Sequence, residues 1–410
     1  MRISDRSAVG ARLLAVGAAV ALAAVLPAAG ASAATGTVLH SFTGGADGGQ
    51  VETPLLFGSG GVLYGTADGG GAFSSGTAYK LTPNGSGGWT ETTLFSFNGS
   101  NTGSIPDGAL IADGSGNLYG TVYQGGAFGH GAVYKLSPGT GGAWTETLLY
   151  SFTGGSDGSL PTAGVIFDAS GNLYGTTGDG GSDGQGVVFK LSPGAGGAWT
   201  ETVLHNFISQ TADGTHPGRG VVFDSAGNLY GTTTTGGTSN DGVVYELSPG
   251  AGGAWTETLP HTFTGGSDGL VPLCDLVLDS SGNIYGTTTD GGSSSVGTVF
   301  KLTKSGSSWT EQILYNFTGG ASGKEPYAGV IFDSSGNLYG TTTAGVFGAG
   351  GVVYKLTHSG SSWTESALYT FDGAGDGSFA HLIRDASGNL YGTNADGGPN
   401  SAGEAFKVQP

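Results

Sequence analysis

The sequence has 410 residues, of which 85 are glycine, and a formal net charge of −18 at pH 7. Because glycine costs about 1 kcal/mol relative to alanine inside a helix, this composition disfavours a helix-rich protein. The acidic charge disfavours nucleic-acid binding, because it repels phosphate groups.

The N-terminal segment, residues 1–33, has the pattern of a secretory signal peptide. Three arginines accompany an apolar stretch from Leu13 to Leu26, which is too short to cross a hydrocarbon core of about 30 Å comfortably. The small residues Ala31-Ser32-Ala33 then supply a cleavage pattern. We expect cleavage before Ala34 and a mature protein that is secreted, or periplasmic, with no membrane span. A retained anchor helix is the alternative.

Internal repetition organises the rest of the chain. The tripeptide Leu-Tyr-Gly, or Ile-Tyr-Gly, occurs seven times at intervals of about 55 residues. The tyrosines of this tripeptide are Tyr64, Tyr119, Tyr174, Tyr230, Tyr285, Tyr339 and Tyr391. The period covers residues 34–410, so we expect a single domain there.

Each repeat contains four short runs rich in β-branched and aromatic residues, separated by Gly, Asp, Asn and Ser. In the third repeat these runs are strand A (Gly164–Phe167), strand B (Asn172–Thr177), strand C (Gly186–Leu191) and strand D (Thr200–Phe207). Four antiparallel strands repeated seven times predict an all-β, seven-bladed β-propeller. A β-solenoid is the alternative architecture.

The two ends of the repeat region are offset in a way that favours a closed ring. The region begins with a D-like run, Gly36–Phe42, and ends with a C-like run, Glu404–Val408. We expect the N-terminal strand to complete the last blade, which removes an open sheet edge. A solenoid gives no reason for this offset.

The repeat unit is also recognisable as a family motif. Asp-x-Ser-Gly-Asn-Leu-Tyr-Gly-Thr-Thr, followed by Gly-Gly and then Gly-Val-Val-Tyr-Lys-Leu, resembles the GloVer tandem repeat of exported bacterial choice-of-anchor proteins, over all seven repeats. The resemblance implies export and attaches no established activity. The A–B unit is more distantly similar to NHL-type and streptogramin-lyase propellers, which implies a fold and not a reaction.

Repetition supplies a structural explanation for several conspicuous residues. The six tryptophans all begin D strands and are expected to pack between blades. The glycine after each repeat tyrosine is expected to admit a neighbouring blade. His40, His205 and His261 take a position held by tyrosine in other repeats, so we interpret them as surface or filler rather than ligands. No zinc-hydrolase motif is present, and Cys274 is expected to be a packed thiol.

Acidic residues are concentrated in one class of loop. In antiparallel blades the A–B and C–D turns lie at one end of the ring, and the B–C and D–A loops lie at the other. Most acidic residues outside the A–B turns and the Trp-Thr-Glu motifs fall in B–C and D–A loops. They are either ordinary turn residues or a face that attracts Ca²⁺, for which Asp107 and Asp275 are the candidate ligands.

The residue that leads into each A strand should approach the ring axis at this acidic end. In five of the seven repeats this residue is Gly, Ala or Pro. Asp275 and His381 break that rule. Departures from an otherwise uniform repeat are candidate ligand-binding residues, because function is often grafted where local rules fail. The candidates are Glu52, Asp107, Arg219, Asp275, Tyr327 and His381.

The sequence thus favours an exported, monomeric, non-catalytic binding module whose partner is a small molecule, a glycan or a protein, with Ca²⁺ as a candidate cofactor. The first alternative is a lyase or hydrolase at the mouth of the ring, with His381 as general base and Arg219 stabilising negative charge. The second alternative is a structural cell-surface protein.

Overall fold

The computed structural model describes residues 34–209, 212–345, 350–371 and 377–410. The predicted signal peptide lies outside the described residues. Within these ranges the chain forms β-strands and short 3-10 turns, with no α-helix. None of the described segments is a helix with the length and hydropathy needed to span a membrane.

Seven four-stranded antiparallel sheets form the blades, each with the strand order A-B-C-D. The A strands are Leu56–Phe57, Ile111–Ala112, Ile166–Phe167, Val222–Phe223, Val277–Leu278, Ile331–Phe332 and Ile383–Arg384. The B strands are Leu63–Ala67, Leu118–Val122, Leu173–Thr177, Leu229–Thr233, Ile284–Thr288, Leu338–Thr341 and Leu390–Asn394. The C strands are Thr77–Pro83, Ala132–Pro138, Val187–Pro193, Val243–Pro249, Thr298–Ser305, Val352–Ser359 and Glu404–Gln409. The D strands of blades 1 to 6 are Trp89–Ser96, Trp144–Ser151, Trp199–Asn206, Trp255–Thr262, Ser308–Asn316 and Ser362–Thr370, and Thr35–Ser41 serves blade 7.

Small elements connect these strands. A further pair of two-residue strands, Gly214–Thr215 and Thr235–Gly236, joins two loops of blade 4. Short 3-10 turns span Ser59–Gly61, Thr140–Gly142, Ala195–Gly197, Ala251–Gly253 and Gly320–Ser322. The all-β, seven-bladed propeller predicted from the repeat is confirmed.

Strand A is shorter than predicted. In blade 3 it contains Ile166–Phe167 rather than Gly164–Phe167. A side chain at Gly164 would collide with the backbone of Ala109 in blade 2. The start of the predicted strand therefore packs against the neighbouring blade near the axis and does not pair within its own sheet.

The N-terminal strand closes the ring, as the offset of the two ends predicts. Thr35–Ser41 pairs antiparallel with Glu404–Gln409, with Gly36 opposite Val408 and Ser41 opposite Glu404. The backbone N–H of Phe42 donates to the carbonyl of Gly403 at 2.9 Å. Blade 7 therefore contains strands from both ends of the repeat region.

Aromatic side chains fill the spaces between blades. The phenylalanine that follows each D strand packs on an aromatic ring of the next blade's C strand. For example, the ring centres of Phe207 and Tyr245 lie 5.2 Å apart. The tryptophan at the start of a D strand packs on the repeat tyrosine of the preceding blade. The ring centres of Trp144 and Tyr64, for example, lie 6.2 Å apart. The predicted packing role of the tryptophans is confirmed.

The glycine after each repeat tyrosine has a different role from the one predicted. Gly175 lies directly opposite Phe189 within the same sheet, and a Cβ at Gly175 would come within 2.7 Å of that ring. The expectation that it admits a neighbouring blade is therefore wrong. The next residue, Thr176, makes the contact between blades, because its hydroxyl donates to the carbonyl of Arg219 at 3.0 Å.

This threonine bond recurs around the axis and holds the segments that precede the A strands. The hydroxyls of Thr121, Thr232 and Thr287 donate to carbonyls of the following blade at 2.8–3.2 Å. Thr393 of blade 7 donates to the carbonyl of Thr53 at 2.9 Å, which closes the circuit with blade 1. The candidate site residues are thus carried on a rigid inner rim.

Candidate functional site

The B–C and D–A loops lie at the same end of the ring, as the sequence predicts. The D–A loop that leads into a blade pairs with that blade's B–C loop, for example Ser159 with Asp179 and Leu270 with Asp290. The site candidates precede the A strands at this end, which we call the mouth. Six of the seven blades contribute one candidate each.

Asp275 and His381, from blades 5 and 7, meet at the mouth. His381 Nδ1 lies 3.0 Å from Asp275 Oδ2. Gly329 of blade 6 lies between them and lines the same cavity, of about 160 Å³. The side chains of His381 and Asp275 are 28% and 39% exposed, so the pair is accessible to a ligand.

The charge state of Asp275 follows from these neighbours. Burial raises its pKa, but the hydrogen bond and charge of His381, together with the charge of Arg219, outweigh burial and leave the pKa below its ordinary value. Asp275 is therefore an ionised partner that orients the imidazole of His381.

Arg219 of blade 4 lies beside a larger cavity of about 340 Å³, which Glu52 and Asp107 also line. Its backbone is held by Thr176, and one guanidinium nitrogen lies 3.4 Å from the carbonyl of Phe379. The apolar part of the wall comes from Tyr123, Leu160, Pro217 and Leu273. This combination of apolar wall and a few charged groups is typical of small-molecule sites.

The acids around Arg219 have raised pKa values. Burial, followed by the charge of Asp107, raises the pKa of Glu52, and burial raises the pKa of Asp107. The positive charge of Arg219 lowers both, without cancelling the effect of burial. The mouth therefore holds acidic side chains that keep their protons more readily than free carboxyl groups do.

Asp68 belongs to the same group and was missed by the sequence analysis. Burial, with the charges of Asp107 and Glu52, raises its pKa well above the ordinary value. Its Oδ1 atom is shielded from water and has no hydrogen-bond partner. Asp68 follows strand B directly, where the other repeats have Tyr, Gly, Thr or Ala. Comparison of the repeats at this position would have revealed it.

Tyr327 stands at the edge of the site. Its ring lies 5.2 Å from Phe379, whose carbonyl faces Arg219. Of the predicted residues, Glu52, Asp107 and Arg219 share one cavity, and Asp275 and His381 line another. Tyr327 lines neither of these cavities but contacts Phe379 beside them.

Aspartates at both ends of the ring have a structural role. Asp168, in an A–B turn at the opposite end, accepts hydrogen bonds from the backbone N–H groups of Ser170 and Asn172. Asp157, in a D–A loop, accepts one from the N–H of Thr153 at 2.8 Å. Much of the acidity is therefore turn chemistry. Asp107 and Asp275 line separate cavities, and Ca²⁺ binding by either remains a prediction.

The family follows from a comparison with known repeats. The profile described as the Gloeobacter/Verrucomicrobia repeat matches residues 28–169 and 256–410. The chain belongs to this family. Blades built from the same four strands occupy the interval between the two matched stretches. No curated protein matches this member of the Gloeobacter/Verrucomicrobia repeat family in sequence.

Solved structures with a similar fold include a polysaccharide lyase and a protein with a provisional lactonase name. A family PL25 ulvan lyase, bound to a GlcA-Rha3S oligosaccharide, has a TM-score of 0.53 at 13% identity, over 88% of this chain and 94% of its own. A Bacteroides uniformis protein provisionally named a 6-phosphogluconolactonase has a TM-score of 0.52 at 14% identity, over 79% of this chain and 86% of its own. At these identities the likeness of the Gloeobacter/Verrucomicrobia repeat protein to both shows the fold alone.

Proposed function

We propose that this protein is a binding module whose ligand, a glycan or a similarly hydroxyl-rich molecule, occupies the cavity beside Arg219. The observation that carries the proposal is the convergence of residues that break the repeat. Glu52, Asp107 and Arg219 come from three blades and line one cavity, although the repeat would place similar residues in every blade.

The chemistry of the wall supports this class of ligand. A sugar presents an apolar C–H face and a ring of hydroxyl groups. The ring of Tyr123 and the side chain of Leu273 offer apolar surface for the face, while Arg219 and the carboxyl groups offer hydrogen-bond donors and acceptors for the hydroxyls. A cavity of about 340 Å³ falls in the range of small-ligand pockets.

Binding can be tested with a panel of immobilised neutral and acidic oligosaccharides, followed by titration calorimetry on the strongest hit. We expect Arg219→Ala to weaken binding at least tenfold, because the guanidinium lies at the cavity. Asp168→Asn, at the opposite end of the ring, is the control and should bind as the wild type does. If the Arg219→Ala variant bound every oligosaccharide with the affinity of the wild type, the cavity beside Arg219 would not be the binding site.

The pairing of His381 with Asp275 favours a catalytic function as the second candidate. An imidazole held by a carboxylate is suited to take a proton from a substrate, as a general base does. The ulvan lyase of similar fold acts on a polysaccharide. Incubation with polysaccharides that contain the bound oligosaccharide units should then release unsaturated products or new reducing ends, and His381→Ala should abolish their formation. Intact polysaccharides after prolonged incubation would leave binding as the function.

We also propose that the protein is exported and acts outside the cytoplasm. The support is the signal-like segment before Ala34. Expression of the full-length chain in a bacterial host, followed by N-terminal sequencing of the extracytoplasmic product, tests this directly. A product that starts at Ala34 supports export, and a product that keeps residues 1–33 contradicts it.

A further inference from the structure

Two clusters of histidine, aspartate and glutamate lie on or beside the outer strands, and none of their residues lines either mouth cavity. We call them the outer clusters, and they consist of His205, Asp213 and Glu257 and of His261, Asp268 and Glu311. In each, the histidine lies near the end of a D strand, the aspartate lies in the following D–A loop, and the glutamate lies on the D strand of the next blade. Each cluster therefore joins two adjacent blades.

The spacing within the clusters matches the spacing of ligands around a metal ion. His261 Nε2 lies 3.5 Å from Asp268 Oδ2 and 3.6 Å from Glu311 Oε1. The corresponding distances from His205 Nε2 to Asp213 and Glu257 are 3.3 and 3.7 Å. Charge-assisted hydrogen bonds are shorter, at about 2.7–2.9 Å. Two ligands of a tetrahedral ion with bonds of about 2.1 Å lie about 3.4 Å apart.

Three of the atoms that face one another are shielded from water and have no hydrogen-bond partner among the described residues. His261 Nε2, Glu311 Oε1 and Glu257 Oε1 are buried without a hydrogen bond. The Asp268 carboxylate is positioned by Thr264, whose N–H and hydroxyl donate to it at 2.9 and 2.7 Å. Each cluster thus holds at least one buried ligand atom without a hydrogen bond, which a cation would satisfy.

We propose that each outer cluster binds a divalent transition-metal ion, with Zn²⁺ the best match. One imidazole nitrogen and two carboxylate oxygens are ligands that Zn²⁺ accepts, and a water molecule completes four-fold coordination. The net charge of −18 further favours a cation. The bound ion would connect the outer strands of blades 3 and 4, and of blades 4 and 5, and stabilise the folded ring.

Other blades of the same chain provide natural comparisons. In blade 2 tyrosine replaces the histidine, and the Tyr150 hydroxyl donates to Asp157 at 3.0 Å, which leaves no nitrogen for a metal. In blade 7 His40 lies 3.2 Å from Asp47, but Glu91 of the next blade accepts a hydrogen bond from Thr93. No third ligand therefore joins His40 and Asp47 among the described residues, and we expect two ions per chain rather than three.

The test is the metal content of the untagged protein after equilibration with ZnCl₂ and dialysis into metal-free buffer. We expect the wild type to retain two zinc ions, one for each outer cluster. His261→Tyr, which installs the residue found in blade 2, should retain one, and the double variant with His205→Tyr should retain none. Zinc should raise the melting temperature of the wild type and leave that of the double variant unchanged.

Controls separate this proposal from adventitious binding and from the mouth. His40→Tyr and His381→Ala should both retain two ions, since neither residue belongs to an outer cluster. If the double variant keeps as much zinc as the wild type, or if the wild type keeps none, the outer clusters do not bind zinc. Circular dichroism and the melting temperature without metal show whether each tyrosine variant is folded.

Discussion

Four buried tyrosine hydroxyls on C strands lack a hydrogen-bond partner in the described part of the chain. They belong to Tyr79, Tyr134, Tyr245 and Tyr354. The corresponding residues in blades 3, 5 and 7 are Phe189, Phe300 and Phe406. The same pocket therefore accepts either ring, and a hydroxyl without a partner loses its hydration on folding without compensation.

Tyr245→Phe should stabilise the protein by about 1 kcal/mol, because it removes an unpaired buried hydroxyl and keeps the ring. Denaturant unfolding of the wild type and the variant measures the effect. Tyr174→Phe is the matched control of opposite sign, because the Tyr174 hydroxyl donates to Asp168 at 3.1 Å. A Tyr245→Phe variant less stable than the wild type would show that its hydroxyl has a partner.

Glu146 should make stability depend on pH. Burial raises its pKa to about 7, and its Oε1 atom has no hydrogen-bond partner. The folded state binds the proton of the Glu146 carboxyl group more tightly than the unfolded state does. The free energy of unfolding therefore falls as the pH rises from about 4.5 to 7.

Glu146→Gln should therefore raise the free energy of unfolding at pH 8 by about 1 kcal/mol, after allowance for the partial exposure of the side chain. At pH 4 both proteins carry a neutral group at this position and should be equally stable. Urea unfolding at the two pH values measures the difference. An identical effect at both pH values would mean that the substitution acts through packing and not through charge.

Among the elements, the N-terminal strand is the one that closes the ring. Thr35–Ser41 covers the open edge of Glu404–Gln409, and Phe42 next to it is fully buried against Tyr79 of blade 1. The N-terminal segment thus links blade 7, where its strand pairs, to blade 1, where Phe42 packs. Without it the ring has one exposed sheet edge and one unfilled space between blades.

Removal of residues 34–42 should lower the melting temperature strongly, because it removes a whole strand ladder and a buried aromatic ring. Phe42→Ala is the milder variant and should cost about 3–5 kcal/mol through the cavity that it creates. Thermal melts followed by circular dichroism compare both with the wild type. Wild-type melting temperatures in both variants would contradict ring closure by this strand.

At the scale of the whole molecule, acidic residues gather at one end of the ring. Besides burial, the charge of Asp107 raises the pKa values of Glu52 and Asp68, and Arg219 offsets this only in part. Clustered carboxylates repel one another. A divalent ion that binds only the folded state should relieve this repulsion and stabilise the ring.

Millimolar Ca²⁺ should accordingly raise the melting temperature, and Asp107→Asn or Asp275→Asn should reduce the rise. Asp168→Asn, in an A–B turn at the opposite end, should leave the response intact. Melts and titration calorimetry with and without chelator, at matched ionic strength, provide the measurement. If Ca²⁺ gives neither heat nor stabilisation beyond the salt control, the mouth carboxylates do not bind it.

The sequence by itself determined the number of blades, their strand order and the closing strand. These features depend on patterns within about 55 residues, such as the repeat tyrosines and the alternation of apolar residues with turn residues. The offset between Gly36–Phe42 and Glu404–Val408 could be read in the same way, because it compares two ends of one repeat. Local hydrogen bonding and strand pairing obey rules that the sequence displays directly.

Only the tertiary structure decided which departures from the repeat meet. Asp275 and His381 lie 106 residues apart and approach within 3.0 Å, and Gly329 of the intervening blade lines the same cavity. The outer clusters combine His261 and Asp268 with Glu311 of the next blade, a contact set by the rotation between blades. Strand A of blade 3 is likewise shorter than predicted, because Gly164 packs against the backbone of the neighbouring blade. Contacts between blades depend on the geometry of the closed ring, which no single repeat encodes.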